Sequence, residues 1–249
     1  GRGATHGQAH HWFPTPPLKE HRAKLPQAKV EFSAGRDLAA AAALAKSADV
    51  AIVFAYQWEA EGVDLATLSL PDNQEALIEQ VAAANPRTIV VLETGTAVTM
   101  PWIGKVSAVV EAWYAGSSGH KALANVLTGE VNPSGKLAMT FPKSDADLPH
   151  PVIPALSAED EGQGSGVDNG PTHVRSKYAV HYDEALKVGY KWYESEHKEP
   201  LFPLGFGLTY TTYAYSNRTP HHAQKTVQLR VKNHGRPPQP EPTQAARTP

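Results

Sequence analysis

Two carboxylates and a glycine directly follow a strand-like run of apolar residues, and this spacing suits acid–base chemistry. The run spans residues 50–56, and Glu59, Glu61 and Gly62 come just after it. In an open parallel sheet, ligands bind beyond the carboxyl ends of the strands. A carboxyl group held there beside an aromatic side chain can have its pKa raised toward that of a general acid. We therefore take this segment as the candidate site, with a solvated acidic turn as the alternative.

The composition is that of a soluble globular protein, and it excludes several kinds of chemistry. Of the 249 residues, 41% are hydrophobic and 19% charged, and 23 basic residues nearly balance 25 acidic ones. A balanced charge attracts neither nucleic acid nor an anionic membrane surface. The sequence contains no cysteine, so disulfides, thiolate nucleophiles, zinc–thiolate sites and iron–sulfur clusters are excluded.

Membrane segments, targeting signals and metal sites are not indicated either. Polar residues interrupt the most apolar window, residues 38–56, and the first residues do not read as a secretory signal. The pairs His10-His11 and His221-His222 are adjacent in sequence, whereas a metal-binding helix face needs a spacing near i, i+4. We expect no membrane partner, no metal and no cofactor.

The apolar periodicity from Asp37 onward predicts alternating helices and strands. A strand, a helix and a strand within about 45 residues form a right-handed βαβ unit. Continuous apolar strands imply helices on both faces of a parallel sheet. The fold class is therefore α/β, a three-layer sandwich with a mostly parallel sheet. Strands are predicted at residues 50–56, 88–92, 106–113 and 136–141, and helices at residues 37–46, 71–85 and 120–127.

Polar and aromatic residues follow all three of the predicted parallel strands. Because the carboxyl ends of such strands share one edge of the sheet, we expect these side chains to lie together at that edge, where α/β folds bind ligands. They are Glu59 and Glu61 after the first strand, Glu93 to Gly95 after the second, and Trp113 and Tyr114 after the third.

The ends and the middle of the chain differ in composition from the α/β pattern. Residues 1–26 contain four His and four Pro without an apolar period and predict an irregular lead-in. The α/β domain is expected over residues 27–204, interrupted by a long Pro-, Gly- and Ser-rich surface excursion at residues 142–177. Residues 205–249 then comprise a linker, two strand-like segments at 209–215 and 226–231, and a tail of disordered composition.

Seven short segments carry a family resemblance through their order along the chain. They are residues 59–64 (EAEGVD), 70–74 (LPDNQ), 85–92 (NPRTIVVL), 100–102 (MPW), 112–116 (AWYAG), 129–137 (GEVNPSGKL) and 203–210 (PLGFGLTY). Together they resemble the C-terminal α/β sandwich domain of the family 3 glycoside hydrolases, the β-glucosidase type, over roughly residues 27 to 232. In that family the domain follows a TIM-like barrel and precedes a fibronectin-III-like domain, whose start the strand-like segments after residue 209 resemble.

The resemblance implies a retaining glycosidase, in which an aspartate nucleophile and a general acid/base flank the scissile bond at about 5 Å separation. It places the acid/base at Glu61, immediately before Gly62, with Glu59 as the runner-up. The implied substrate is a β-glucoside or oligosaccharide, and the implied location is the periplasm or the cell exterior. We expect Trp58, Gly62, Asp64, Trp113 and Tyr114 to be substrate-binding residues, with packing in the core as the alternative for the three aromatic side chains.

In that family the barrel supplies the nucleophile, and no barrel precedes this domain in the sequence. We therefore expect a fragment of a β-glucosidase-like enzyme that is inactive alone and needs a TIM-like barrel as a domain or a subunit. Two other functions stay open. One is a non-catalytic carbohydrate-binding or subunit-docking module. The other is a nucleotide or phosphate binder at residues 116–119, although their glycine spacing fits neither the dinucleotide-binding fingerprint nor a P-loop.

Overall fold

A parallel sheet between two layers of helices forms the main part of the protein. The structure, a computed structural model, describes residues 16–59, 65–152, 181–221 and 225–235. This architecture confirms the predicted α/β class. In chain order the elements are α1 (Pro17–Lys24), α2 (Leu38–Ser47), β1 (Ala51–Tyr56), α3 (Gln74–Ala84), β2 (Thr88–Glu93), β3 (Ala108–Glu111), α4 (Gly119–Leu127), α5 (Tyr190–Ser195), β4 (Tyr213–His221) and β5 (Thr226–Asn233), with 3₁₀ turns at Ile103–Lys105 and Asp145–Asp147.

The strand register places the candidate loops side by side. The sheet has the order β1-β2-β3, and both neighbouring pairs are parallel. Tyr56 pairs with Glu93, and Leu92 pairs with Glu111. Because the three strands run in one direction, their carboxyl ends lie at one edge, and the loops that follow them leave from that edge.

Alternation along β1 explains the two helical layers. Val53 and Ala55 are buried in a core that also contains Ile78 and Val81 of α3. Phe54 points to the opposite face, where its ring lies edge-on to His120 of α4 at 6.4 Å between ring centroids. The central strand β2 is covered on both faces, which is why its residues Val90, Val91 and Leu92 have no exposed surface.

Helix α1 corrects the sequence analysis, which placed residues 17–24 in an irregular lead-in. Pro17 lies in the first turn, where the missing N–H costs nothing. His21 is buried, with its Nδ1 2.7 Å from the Pro17 carbonyl oxygen and its ring edge-on to Phe54. The helix was missed because a histidine, and not an apolar residue, makes its buried contact. Residues 1–15 lie outside the described part of the chain.

The predicted strand at residues 136–141 does not form, which is a second correction. Phe141 makes a single antiparallel bridge with Phe202, and Leu137 exchanges backbone hydrogen bonds with the 205–206 turn. Residues 203–206 form a turn, with the Phe206 N–H donating to the Pro203 carbonyl oxygen at 3.0 Å and Gly205 at a φ of 82°, and this turn interrupts the ladder between the two contacts. Of the predicted excursion at residues 142–177, residues 142–152 contain one 3₁₀ turn, and residues 153–177 lie outside the described ranges.

A two-stranded antiparallel ribbon follows the α/β part. Strands β4 and β5 pair from Tyr213 with Asn233 to His221 with Thr226. Whether this ribbon belongs to a fibronectin-III-like domain stays a prediction, and the tail from residue 236 is outside the described residues. No helix in the described ranges combines the length and apolarity that crossing a membrane requires.

Asn85 ties the end of α2 to the start of β2 and is expected to be important for stability. Its buried Nδ2 donates to the carbonyl oxygens of Ala45 and Ala48, both at 2.9 Å, and its Oδ1 accepts the Arg87 N–H at 2.8 Å. Asn85→Ala removes all three bonds and leaves buried groups unpaired, so the free energy of unfolding in urea should fall by about 2–4 kcal/mol.

Asn73→Ala provides the matched control for this prediction. Asn73 is exposed at the start of α3, and its side chain makes no capping hydrogen bond. Its replacement should change the free energy of unfolding by less than about 0.5 kcal/mol. Equal losses in the two variants would contradict the role given to Asn85.

Candidate functional site

Direct hydrogen bonds join the loops that follow β1, β2 and β3. The Glu59 Oε1 accepts the backbone N–H groups of Gly95 at 3.0 Å and Thr96 at 2.9 Å. The Tyr114 hydroxyl donates to the Gln57 carbonyl oxygen at 2.5 Å. The three strand ends therefore form one connected edge, which contains residues from each loop that the sequence singled out.

The structure describes only some of the predicted site residues. Glu61, Gly62 and Asp64 lie outside the described residues, so their roles stay predictions. Trp58 stands in the β1 loop with 36% of its surface exposed. Trp113 packs against the hydrophobic core, with its ring centroid 6.1 Å from that of Phe141.

Gly95 allows the close approach of the three loops. A Cβ atom at this position would collide with the Glu59 carboxylate and with the Tyr114 ring. Only glycine leaves this space open, because it has no side chain. The sequence offered a signal for this position, a glycine directly after a strand, but not the identity of the groups that approach it.

Glu111 is a mostly buried carboxyl group at the end of β3 that the sequence analysis missed. Burial raises the pKa of Glu111 to about 8, and the nearby negative charge of Glu59 adds to this. Hydrogen bonds from the Trp113 N–H at 2.9 Å and from Thr94 act in the opposite direction. Glu111 is therefore largely protonated at neutral pH.

The Tyr114 hydroxyl keeps its proton for similar reasons. Burial raises the pKa of Tyr114 to about 12, and the charge of Glu59 contributes in the same direction. A neutral phenol is a hydrogen-bond donor, as its bond to Gln57 requires. The ring also fills the space beside Gly95. The Tyr114 side chain therefore contacts the loop that follows β1, through Gln57, and the loop that follows β2, through Gly95.

The opposite face of the same edge contains a second polar pair. The His120 Nε2 lies 2.6 Å from the Glu93 Oε1, and both side chains are largely buried. His120 belongs to α4, so the pair connects this helix to the end of β2. In the residues that the structure describes, no group of three or more His, Cys, Asp or Glu could hold a metal ion.

Asp145 holds the chain where the described residues resume after the β1 loop. Its Oδ2 accepts the Thr67 hydroxyl at 2.7 Å, and its Oδ1 accepts the Leu68 N–H at 2.9 Å. The Leu68 carbonyl oxygen in turn accepts the Thr99 N–H at 2.9 Å. Residues 67 and 68 are thus bound on two sides.

Trp58 and Glu59 leave both apolar and polar surface at this edge, because each side chain is partly exposed. Carboxyl groups and aromatic rings brought together at the carboxyl ends of parallel strands are the usual composition of a binding site in an α/β fold.

Comparisons with known proteins agree on one family. The family model described as "Glycosyl hydrolase family 3 C-terminal domain" matches residues 1–210. Beta-glucosidase B of Emericella nidulans is 44% identical over 192 residues, which cover 73% of this chain and 21% of that protein. Thermostable beta-glucosidase B of Acetivibrio thermocellus is 45% identical over 177 residues, covering 70% and 21%. The chain thus spans about a fifth of the length of these relatives.

Solved structures of similar proteins give the same result. The crystal structure of DesR, a beta-glucosidase from Streptomyces venezuelae in complex with D-glucose, superposes with a TM-score of 0.61 at 40% identity, covering 78% of this chain and 23% of that one. Beta-glucosidase 3B from Thermotoga neapolitana in complex with glycerol reaches a TM-score of 0.71 at 26% identity, covering 94% and 36%.

Proposed function

Because the chain belongs to family 3 of the glycoside hydrolases, as their C-terminal domain, we propose that it supplies the general acid/base and part of the sugar pocket of a retaining β-glucosidase. In this proposal Glu61 protonates the glycosidic oxygen as it leaves and then deprotonates the water that hydrolyses the glycosyl-enzyme. The observation that carries it is the joined edge of the sheet, where Glu59 is anchored two residues before Glu61.

The contacts of Glu59 favour Glu61 as the proton donor. One carboxylate oxygen of Glu59 already accepts two backbone N–H groups, and its side chain is packed against Gly95. A general acid needs an oxygen within hydrogen-bond reach of the leaving group. Glu59 is committed to the neighbouring loop, so Glu61 is the better candidate of the two.

The remaining predicted residues complete the proposed pocket. Trp58 presents an apolar ring face to the sugar, and Gly62 gives the chain conformational freedom next to the acid. Asp64, Tyr114 and Trp113 are kept as proposed pocket residues, although the Trp113 ring packs mainly on the core. The substrate is a β-glucoside or oligosaccharide, and a periplasmic or extracellular location is proposed from family membership.

The second catalytic group is proposed to come from a TIM-like barrel. A retaining mechanism needs a carboxylate nucleophile about 5 Å from the acid/base. The solved relatives that this chain matches are beta-glucosidases of which it covers between about a fifth and a third. The barrel, as a domain or as a separate subunit, supplies the nucleophile, and the chain by itself has little or no hydrolytic activity.

A chimera tests this division of labour. Residues 1–210 replace the matching domain of the Acetivibrio thermocellus enzyme, whose own barrel is retained. The chimera should hydrolyse an aryl β-glucoside with retention of configuration, followed by NMR of the first-formed sugar anomer. The 249-residue chain alone and the host barrel alone should not exceed the buffer rate.

Two results would contradict the proposal. The first is turnover by the 249-residue chain alone that disappears in its Glu61→Gln variant. The second is a folded chimera that binds glucose in calorimetry, with or without Glu61→Ala, but hydrolyses nothing. The second result would favour a non-catalytic carbohydrate-binding module.

A further inference from the structure

Two carboxylates hold the chain on either side of the proposed acid/base. We infer that Glu59 and Asp145 are positioning residues for Glu61. The inference rests on the proposed function and concerns residues that do not themselves react. Glu59 stands at the start of the segment between residues 59 and 67 and binds the backbone of residues 95 and 96. Asp145 binds Thr67 and Leu68 at the end of that segment, and neither carboxylate needs to touch the sugar.

The first anchor is Glu59 on the β2 loop. Its bonds to two consecutive backbone N–H groups, those of Gly95 and Thr96, are charge-assisted and hold the carboxylate in one orientation. The Tyr114 hydroxyl fixes the carbonyl group of Gln57, two residues earlier, at 2.5 Å. The backbone is therefore held at residues 57 to 59, just before the proposed acid.

The second anchor is Asp145 on residues 67 and 68. Its two oxygens bind different groups, the Thr67 hydroxyl at 2.7 Å and the Leu68 N–H at 2.9 Å. Asp145 begins a 3₁₀ turn that a capping box between Ser144 and Asp147 closes. The capping box orders the turn that carries Asp145, and the Leu68 carbonyl oxygen accepts the Thr99 N–H from the other side.

Chain geometry connects these anchors to the reaction. Consecutive Cα atoms are about 3.8 Å apart, so the Cα of Glu61 lies within about 7 Å of the Cα of Glu59 whatever the local conformation. Proton transfer requires the acid within about 3 Å of the leaving oxygen, and a displacement of about 1 Å can reduce the rate about 100-fold. Glu59 therefore limits closely where the proton donor can stand, whereas Asp145, whose first contact is six residues after Glu61 or up to about 20 Å of chain, limits it less closely.

The test uses leaving groups of different basicity in the chimera. An alkyl β-glucoside needs protonation by the acid, whereas a dinitrophenyl β-glucoside has a leaving group that departs unprotonated. Glu59→Ala should lower kcat/KM for the alkyl glucoside about 100-fold, and Asp145→Ala should lower it about tenfold. Both should leave kcat/KM for the dinitrophenyl glucoside within about threefold of the parent. A smaller folded fraction would lower both values equally.

The conservative variants and a glycine variant separate positioning from folding. Glu59→Gln and Asp145→Asn keep side-chain shape and part of the hydrogen bonding, so they should restore at least part of the alkyl glucoside rate. Gly95→Ala keeps both carboxylates but forces Glu59 from its place, and it should show the same dependence on leaving group as Glu59→Ala. Glu79 lies on α3 and forms an exposed pair with Lys105. Glu79→Gln should leave the rates with both glucosides unchanged.

Glu61→Gln, measured in the same chimera, distinguishes a failure of the proposed function from a failure of the positioning role. If it leaves alkyl glucoside hydrolysis intact, the proposed function fails. If it abolishes that hydrolysis while the Glu59 and Asp145 variants affect both leaving groups equally, only the inference is overturned. Restoration of activity by azide in Glu59→Ala but not in Glu61→Ala, with β-glucosyl azide as product, would make Glu59 the acid/base and also overturn it.

Discussion

Replacing Glu61 with glutamine in the chimera should lower kcat/KM for an alkyl β-glucoside about 10²–10⁴-fold. Glutamine keeps the shape of the side chain but has no acidic proton to give to the leaving oxygen. With a dinitrophenyl glucoside, kcat/KM should change little, because departure of that leaving group needs no acid. kcat should still fall, since Glu61 is also the proposed base in hydrolysis of the glycosyl-enzyme.

The pH profile is an independent measure of the same prediction. In the parent chimera, kcat/KM for the alkyl glucoside should decline as the acid loses its proton at high pH, and Glu61→Gln should remove that decline. Glu199→Gln is a suitable control, because Glu199 forms an exposed pair with Lys143 at 2.9 Å. Equal loss with both leaving groups, or an unchanged pH profile, would show that Glu61 is not the acid.

Replacing Glu111 with glutamine should make the stability of the 249-residue chain less dependent on pH. Burial raises the pKa of Glu111 from 4.5 to about 8, so the folded state favours the protonated form. The contribution of protonated Glu111 to the free energy of unfolding is fully present below pH 4.5. It is lost as the pH rises toward 8, at about 1.4 kcal/mol for each pH unit. Across this window the parent should lose roughly 4 kcal/mol, and Glu111→Gln should not.

Urea unfolding between pH 5 and pH 9 measures this effect. Glutamine can still accept the Trp113 N–H, so the two proteins should have similar stability near pH 5 and diverge as the pH rises. Glu75, whose pKa burial also raises, is present in both proteins and does not enter the difference. Glu199→Gln, at the exposed pair with Lys143, should follow the parent. Parallel curves for the parent and Glu111→Gln would contradict the assigned ionisation.

The strands and central helices were predictable because their signals are local. The continuous apolar run of β2 and the stop of α3 at Asn85-Pro86 are legible in a short window of sequence. Helix α1 was not predictable in this way. Its buried residue is His21, and histidine is not apolar, so an apolar period does not mark it. Its burial follows from contacts with Phe54 and Pro17, which the sequence pattern does not show.

The candidate site could be predicted only as far as its motif and its sheet edge. Strand order brings the loops together, and the sequence indicated that convergence correctly. The bonds that join them are formed between residues far apart in the chain, such as Glu59 with Gly95 and Asp145 with Thr67. No periodicity marks such pairs, because they depend on the register of the strands and on the space that a glycine leaves.

The backbone of Trp113 limits how this position can vary. Its φ of 51° is in the left-handed region, which costs most residues about 1–2 kcal/mol and costs glycine or asparagine less. Neither of those residues has a ring to place against Phe141. The backbone conformation thus favours glycine or asparagine at position 113, whereas the contact with Phe141 favours an aromatic side chain. If position 113 is randomised in a library, most functional variants should carry an aromatic residue there.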